Sequence, residues 1–173
     1  TSIDIPSTVT SIGESAFADC FSLEKIELGQ IESLGQNTFA RCSSLETAKI
    51  QGSSNVTYPT NMFGTWGSGH SAAPLKTLEI GAGKIQISLN NQKDSIETIV
   101  LGDGVTEIPA NFAAYCTKLT SVSLPDALTS VPTNAFKGCS SLEKVGISEN
   151  SKLQSIGSNA FQNSALTQIY IPK

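Results

Sequence analysis

The sequence predicts a solenoid, a right-handed coil of short parallel β-strands joined by irregular or short helical segments, mostly β and coil. Three periodic features of its 173 residues predict it. Six of the seven Phe fall on one ladder, Phe17, Phe39, Phe63, Phe112, Phe136 and Phe161, in steps of 22, 24, 49, 24 and 25. An apolar-x-apolar segment follows each rung, and an apolar-x-x-apolar segment ending at Gly or Pro precedes most of them. Self-similarity at such a period is the mark of stacked repeats, each of which buries its apolar face only against its neighbours.

The strand cores, taken in chain order, lie near 3–5, 26–28, 48–50, 78–80, 99–101, 122–124, 145–147 and 169–171. Most carry a Leu or Ile three residues ahead, as Leu23 stands before Ile26 and Leu28. Alternation sends Ile26 and Leu28 inward and Lys25 and Glu27 outward. Thr1-Ser2-Ile3-Asp4-Ile5-Pro6 matches Thr120-Ser121-Val122-Ser123-Leu124-Pro125 and Thr167-Gln168-Ile169-Tyr170-Ile171-Pro172, so the chain starts and stops in one phase. The chain must reverse at Gly13, Gly35, Pro109, Pro132 and Gly157, where the apolar-x-x-apolar segments end. The step of 49 is a missing rung. The repeat holding Phe63 is expanded over 51–75, and the repeat over 81–101 is degenerate, having lost Phe and Cys. All of this reads as one domain of about seven repeats.

Composition narrows the function. Net charge is −4 and the 11 basic residues are scattered, so a nucleic-acid footprint is missing. No run approaches the roughly 18 apolar residues of a membrane span, and residues 1–30 lack the pattern of a signal peptide. The absence of an initiating Met leads us to expect a piece of a longer protein. Ile3-Ile5 and Ile169-Ile171 would leave bare repeat ends, so flanking repeats or domains are expected to cover them.

The segment Ile12-Gly13-Glu14-Ser15-Ala16-Phe17-Ala18-Asp19-Cys20-Phe21-Ser22-Leu23-Glu24-Lys25-Ile26-Glu27-Leu28 resembles the BspA-like, or Treponema-type, leucine-rich repeat. It recurs from Leu34 to Ile50, with Phe39-Ala40-Arg41-Cys42-Ser43-Ser44-Leu45, and from Val131 to Ile147, with Ala135-Phe136-Lys137-Gly138-Cys139-Ser140-Ser141-Leu142. The resemblance implies a leucine-rich-repeat solenoid. It also implies an exported surface protein of the kind implicated in adhesion to host matrix proteins, host cells or other microbes. The function expected is a cell-surface protein-binding module with a protein ligand such as a matrix or surface protein. The alternative is a spacer that holds another domain away from the cell envelope.

No cofactor, metal or catalytic group emerges from the residues. Cys20, Cys42, Cys116 and Cys139 occupy one repeat position, three or four residues after a ladder Phe. A ladder spreads its members along the axis, whereas zinc needs Cys pairs converging on one point. The thiols are expected to be buried and reduced, since parallel stacking disfavours the facing geometry of a Cys20–Cys42 or Cys116–Cys139 disulfide. His70 is the only His, in the Gly-rich stretch Gly64-Thr65-Trp66-Gly67-Ser68-Gly69-His70, which lacks the Lys and Ser or Thr of a phosphate loop. With no second His and no activated nucleophile, an enzyme reading fails.

Two surfaces remain as candidates for partner binding. One is the 58–74 insertion, with Tyr58, Trp66 and His70, because long loops on rigid scaffolds are frequent contact sites and Trp is favoured in hot spots. The plainer reading is a mobile surface loop. The other is the outward strand ladder Asp4, Glu27, Lys49, Glu79, Val100, Ser123, Gly146 and Tyr170, in which Glu27, Lys49, Glu79 and Tyr170 offer charge and a ring. It is equally readable as a solvated face. Asn55-Val56-Thr57 matches a glycosylation sequon, a pattern that arises often by chance.

Overall fold

A computed structural model describes residues 2–65 and 72–171 of the protein. Their strands are β1 (Ser2–Ile3), β2 (Ser11–Ile12), β3 (Lys25–Leu28), β4 (Ser33–Leu34), β5 (Thr47–Ile50), β6 (Thr57–Tyr58), β7 (Thr77–Ile85), β8 (Thr98–Glu107), β9 (Ser121–Leu124), β10 (Ser130–Val131), β11 (Lys144–Ile147) and β12 (Ser155–Ile156). The main sheet runs β1-β3-β5-β7-β8-β9-β11, with β6 also paired to β7. Every pairing in it is parallel. Two short parallel ladders, β2 with β4 and β10 with β12, form where the apolar-x-x-apolar segments meet their turns. This is the solenoid that the periodicity predicts.

Side-chain alternation explains the sheet. In β3 and β9 exposed and buried residues alternate, so Ile26, Leu28, Val122 and Leu124 fill the interior while Lys25, Glu27, Ser121 and Ser123 face out. The Phe ladder forms a second inner wall. Phe17 stacks on Phe39 at 5.5 Å between centroids, and Phe39 on Phe63 at 5.8 Å. Phe112 meets Phe136 edge-on at 6.0 Å, and Phe136 stacks on Phe161 at 5.5 Å. The missing rung is filled by Leu89, fully buried at the start of a short 3-10 turn, Leu89–Gln92. The Leu89 amide donates to the Phe112 carbonyl at 2.8 Å. Gln92 is buried too, and its Nε2 donates to the carbonyls of Phe63 and Ala73 at 3.3 and 3.4 Å.

The turns around each Phe need left-handed backbone. Asn37, Asn134 and Asn159 stand two residues before a ladder Phe and Asn111 one before, all near φ +58. Asp19, Arg41, Gly138 and Asn163 stand two residues after one, again with positive φ. Asn and Gly tolerate this region best, which accounts for the Asn at this turn in four repeats.

Three strand expectations change. The amino-terminal strand is Ser2–Ile3, without Ile5. The repeat over 81–101 is degenerate in sequence, yet it holds the tail of the nine-residue β7 and the start of the ten-residue β8. Both continue past their cores through Gly81-Ala82-Gly83 and Gly102-Asp103-Gly104. A Cβ at Gly102 would run into the Gly81 backbone, so the missing side chains are what allow the strands to pack so closely there. The strand expected over 169–171 is not formed. The neighbouring β11 has Val145 and Ile147 half-buried.

Candidate functional site

The sheet fixes the outward side chains in rows, because parallel strands in register place equivalent residues side by side. Glu27 lies beside Lys49, Lys49 beside Glu79, Glu79 beside Val100, Val100 beside Ser123 and Ser123 beside Gly146. A second row two residues earlier reads Ser2, Lys25, Thr47, Thr77, Thr98, Ser121 and Lys144. The sequence reading singled out only the middle row. The same period of two, applied once more towards the amino end of each strand, finds the other.

Two ion pairs link neighbouring strands here: on the outward face Lys49 Nζ lies 2.7 Å from Glu79 Oε1, and just ahead of β5 and β7 Lys76 Nζ lies 2.8 Å from Glu46 Oε1. Glu27 is bound by Lys25 of its own strand at 2.6 Å instead of sharing Lys49. The i, i+2 neighbour on one face reaches Glu27 directly. The hydrogen bond from Lys25 holds the Glu27 carboxyl below its ordinary range, with the positive charge of Lys25 adding to it. The hydrogen bond to Glu79 raises Lys49, and that to Glu46 raises Lys76. Such exposed pairs contribute little to stability, each about 0.2–1 kcal/mol. Towards the carboxyl end the middle row turns neutral, and Val100 stands 44% exposed on it.

The remaining expected contact residues separate. Tyr58 is not on the surface. It is fully buried, its hydroxyl donates to the Ala82 carbonyl at 2.9 Å, and burial pushes the phenol well above its ordinary pKa. As half of β6 it belongs to the core, so its assignment to a surface insertion is corrected. Its apolar neighbour Val56 is buried as well, and the alternation of Val56, Thr57 and Tyr58 could have signalled a short strand. Trp66 and His70 lie outside the described residues. Tyr170 is 65% exposed and sits apart from the row it was assigned to.

The four cysteines are free. Cys42, Cys116 and Cys139 are fully buried. The Cys42 thiol donates to the Phe17 carbonyl and the Cys139 thiol to the Ala113 carbonyl, each at 3.1 Å. Burial pushes both thiols up to about 11, and Cys116 further up. These are packing groups, not poised nucleophiles. Among the described residues no group of three or more His, Cys, Asp and Glu could hold a metal ion. No helix among them is long and apolar enough to cross a membrane.

A parallel sheet with one outward face, an inner spine of stacked Phe and a ladder of left-handed turns defines a leucine-rich-repeat solenoid. The chain belongs to the BspA type leucine rich repeat family, whose repeat region matches it in six copies over residues 1–80 and 70–173. Similar folds are solved. A leucine-rich repeat protein of T. pallidum is 22% identical, with a TM-score of 0.57 over 88% of this chain and 71% of that one. A leucine-rich repeat protein of Bacteroides ovatus is 19% identical, with a TM-score of 0.48 over 98% of this chain and 60% of its own. A leucine rich cell surface protein of Faecalibacterium prausnitzii is 24% identical, with a TM-score of 0.44 over 97% of this chain and 40% of its own. No curated protein matches the chain.

Proposed function

We propose that the chain is a cell-surface adhesion module that binds a protein ligand, such as a host matrix or microbial surface protein, through the outward face of its main sheet. The observation that carries this reading is the register of that face. Glu27, Lys49, Glu79 and Val100 stand on neighbouring strands as one row of charge leading to an exposed apolar side chain. Rigid parallel strands hold those groups with little conformational freedom left to lose on binding, which favours recognition. Leucine-rich repeats commonly bind proteins and are typically non-catalytic, and both properties support the reading. The family resemblance supports a surface location. Trp66 and His70 stay as candidates for a second contact.

One observation favours the alternative, a structural spacer. On the outward face Lys49 with Glu79 and Lys25 with Glu27 already satisfy one another. A face so neutralised can serve to stay soluble and unattached. The two readings part on whether the folded chain binds immobilised matrix and microbial-surface proteins. Saturable binding weakened by Lys49→Glu supports the adhesion module, and no binding by the folded chain supports the spacer.

A further inference from the structure

The turns carry a second ladder beside the Phe spine. The amide of Asp19 donates to the Ala40 carbonyl, that of Arg41 to Gly64, that of Tyr115 to Lys137 and that of Gly138 to Gln162. Each accepting residue stands just ahead of the next member, so Asp19, Arg41, Tyr115, Gly138 and Asn163 hold one position of the repeat. All five have left-handed backbone, with φ from 58 to 72. Neighbours on this ladder touch: the Arg41 guanidinium bonds the Asp19 carboxylate, and the Tyr115 ring lies over Gly138.

Tyr115 is the misfit. A bulky ring at φ 62 is a costly choice where Asn, Asp or Gly is accommodated more easily. Strain of this kind persists only where the surrounding structure holds it, and it clusters at functional sites. Nor does burial offset it, since Tyr115 is 52% exposed. Gly138 is the matching choice. A Cβ there would meet Cδ1 and Cε1 of the ring at 2.5 and 3.0 Å. The backbone alone does not demand Gly, because Asp19, Arg41 and Asn163 adopt the same conformation with side chains. Tyr115 and Gly138 together hold one half-exposed ring against bare backbone.

We propose that Tyr115 is the platform of a carbohydrate-binding site whose ligand is a β-linked, gluco-configured pyranose. The surroundings select that chemistry. In the turn on one side, Lys93 and Asp94 are exposed, and the Lys93 carbonyl accepts from the Thr117 amide at 3.1 Å. On the other side Lys137 precedes Gly138. The same turns carry a side-chain amide pair, with Asn134 Nδ2 donating to Asn111 Oδ1 at 3.2 Å. Among the described residues the other rings more than half exposed, Phe21 and Tyr170, belong to the first and last repeats. A protein hot spot is a packed pocket ringed by contacts that exclude water. Here one ring stands among charges and amides. The ligand that suits it has a flat apolar face and a polar rim. A pyranose with equatorial hydroxyls has both: its axial C–H groups stack on the π-face, and its hydroxyls reach the polar groups around the ring. An axial hydroxyl, as in mannose, interrupts that face.

An NMR titration of the full chain with cellotetraose, and with β-linked mannotetraose beside it, tests the site in wild type, Tyr115→Asn and Lys49→Glu. Asn removes the ring and supplies a residue that this turn position already accepts at Asn163, so Tyr115→Asn should melt at or above the wild-type temperature. Cellotetraose should shift the Tyr115 and Gly138 amides saturably, and should bind Tyr115→Asn at least about tenfold more weakly than wild type. Lys49→Glu, on the sheet, should bind it as wild type does, and mannotetraose should bind more weakly than cellotetraose. No saturable shift with cellotetraose, or equal affinity in Tyr115→Asn, overturns the platform. A lower melting temperature for Tyr115→Asn overturns it too, because the ring would then be a packing group. Loss of binding in Lys49→Glu would assign the sugar to the sheet face instead, and equal affinity for the two sugars overturns the gluco preference.

Discussion

The Tyr58 hydroxyl reaches 2.9 Å to the Ala82 carbonyl and ties β6 to the bend of β7. Gly52 makes room for it: the backbone there has φ +60, and a Cβ would collide with the hydroxyl. Tyr58→Phe keeps the ring and removes one hydrogen bond to the half-buried Ala82, so it should cost about 0.5–1.5 kcal/mol. Gly52→Ala combines the collision with a left-handed backbone and should cost more. Denaturant midpoints of the two variants check both values, and a neutral Gly52→Ala would contradict the packing described.

Phe136 is fully buried between Phe112 and Phe161. Removing it should cost about 3–5 kcal/mol, because rungs above and below cannot collapse into the hole. Phe161 is only partly buried at the end of the stack, so Phe161→Ala should cost less. Thermal unfolding of the pair gives the order directly.

Asn159 holds φ 57 and is exposed. Asn159→Ala should lose about 1 kcal/mol, the steric cost of left-handed backbone for a residue with a Cβ and no helpful side chain. Asn159→Gly should be neutral or slightly stabilising. Because the side chain is exposed, contacts do not confuse the comparison, which equilibrium unfolding can read.

The buried thiols set an alkaline limit. Cys42 and Cys139 rise from an ordinary 9.0 to about 11 on folding, through desolvation. The unfolded chain therefore releases protons before the folded one. Their contribution is complete below about pH 9 and is lost as pH rises towards the folded values. Unfolding curves across that window should show the decline, and Cys42→Ala should shallow it. Half-exposed Cys20 should react with a thiol reagent before the other three.

The spine and the sheet were legible because their residues repeat: a Phe at each turn and an apolar-x-apolar core state position and orientation together. The middle row of the face followed from the same alternation. Tyr58 was misplaced because it sits in the expanded repeat, where no neighbour supplies a register to read. Leu89 was hidden because a Leu stands in for Phe at the missing rung, and Gln92 because a polar residue at a buried position is recognised only by the carbonyls it meets. The pairing of Glu27 with Lys25 depends on rotamers. The tail was read as a strand from its pattern, which states alternation but not the pairing that a strand needs.

The most direct test of the proposed role is a binding titration against immobilised matrix and microbial-surface proteins, with Lys49→Glu and Lys152→Glu run beside the wild type. Both changes alter net charge equally, but Lys49 is on the outward sheet face and Lys152 lies in the loop between β11 and β12. The account predicts saturable binding that Lys49→Glu weakens about tenfold, or about 1.4 kcal/mol, while Lys152→Glu leaves it unchanged. Equal loss in both variants, or no binding by the folded wild type, would contradict it.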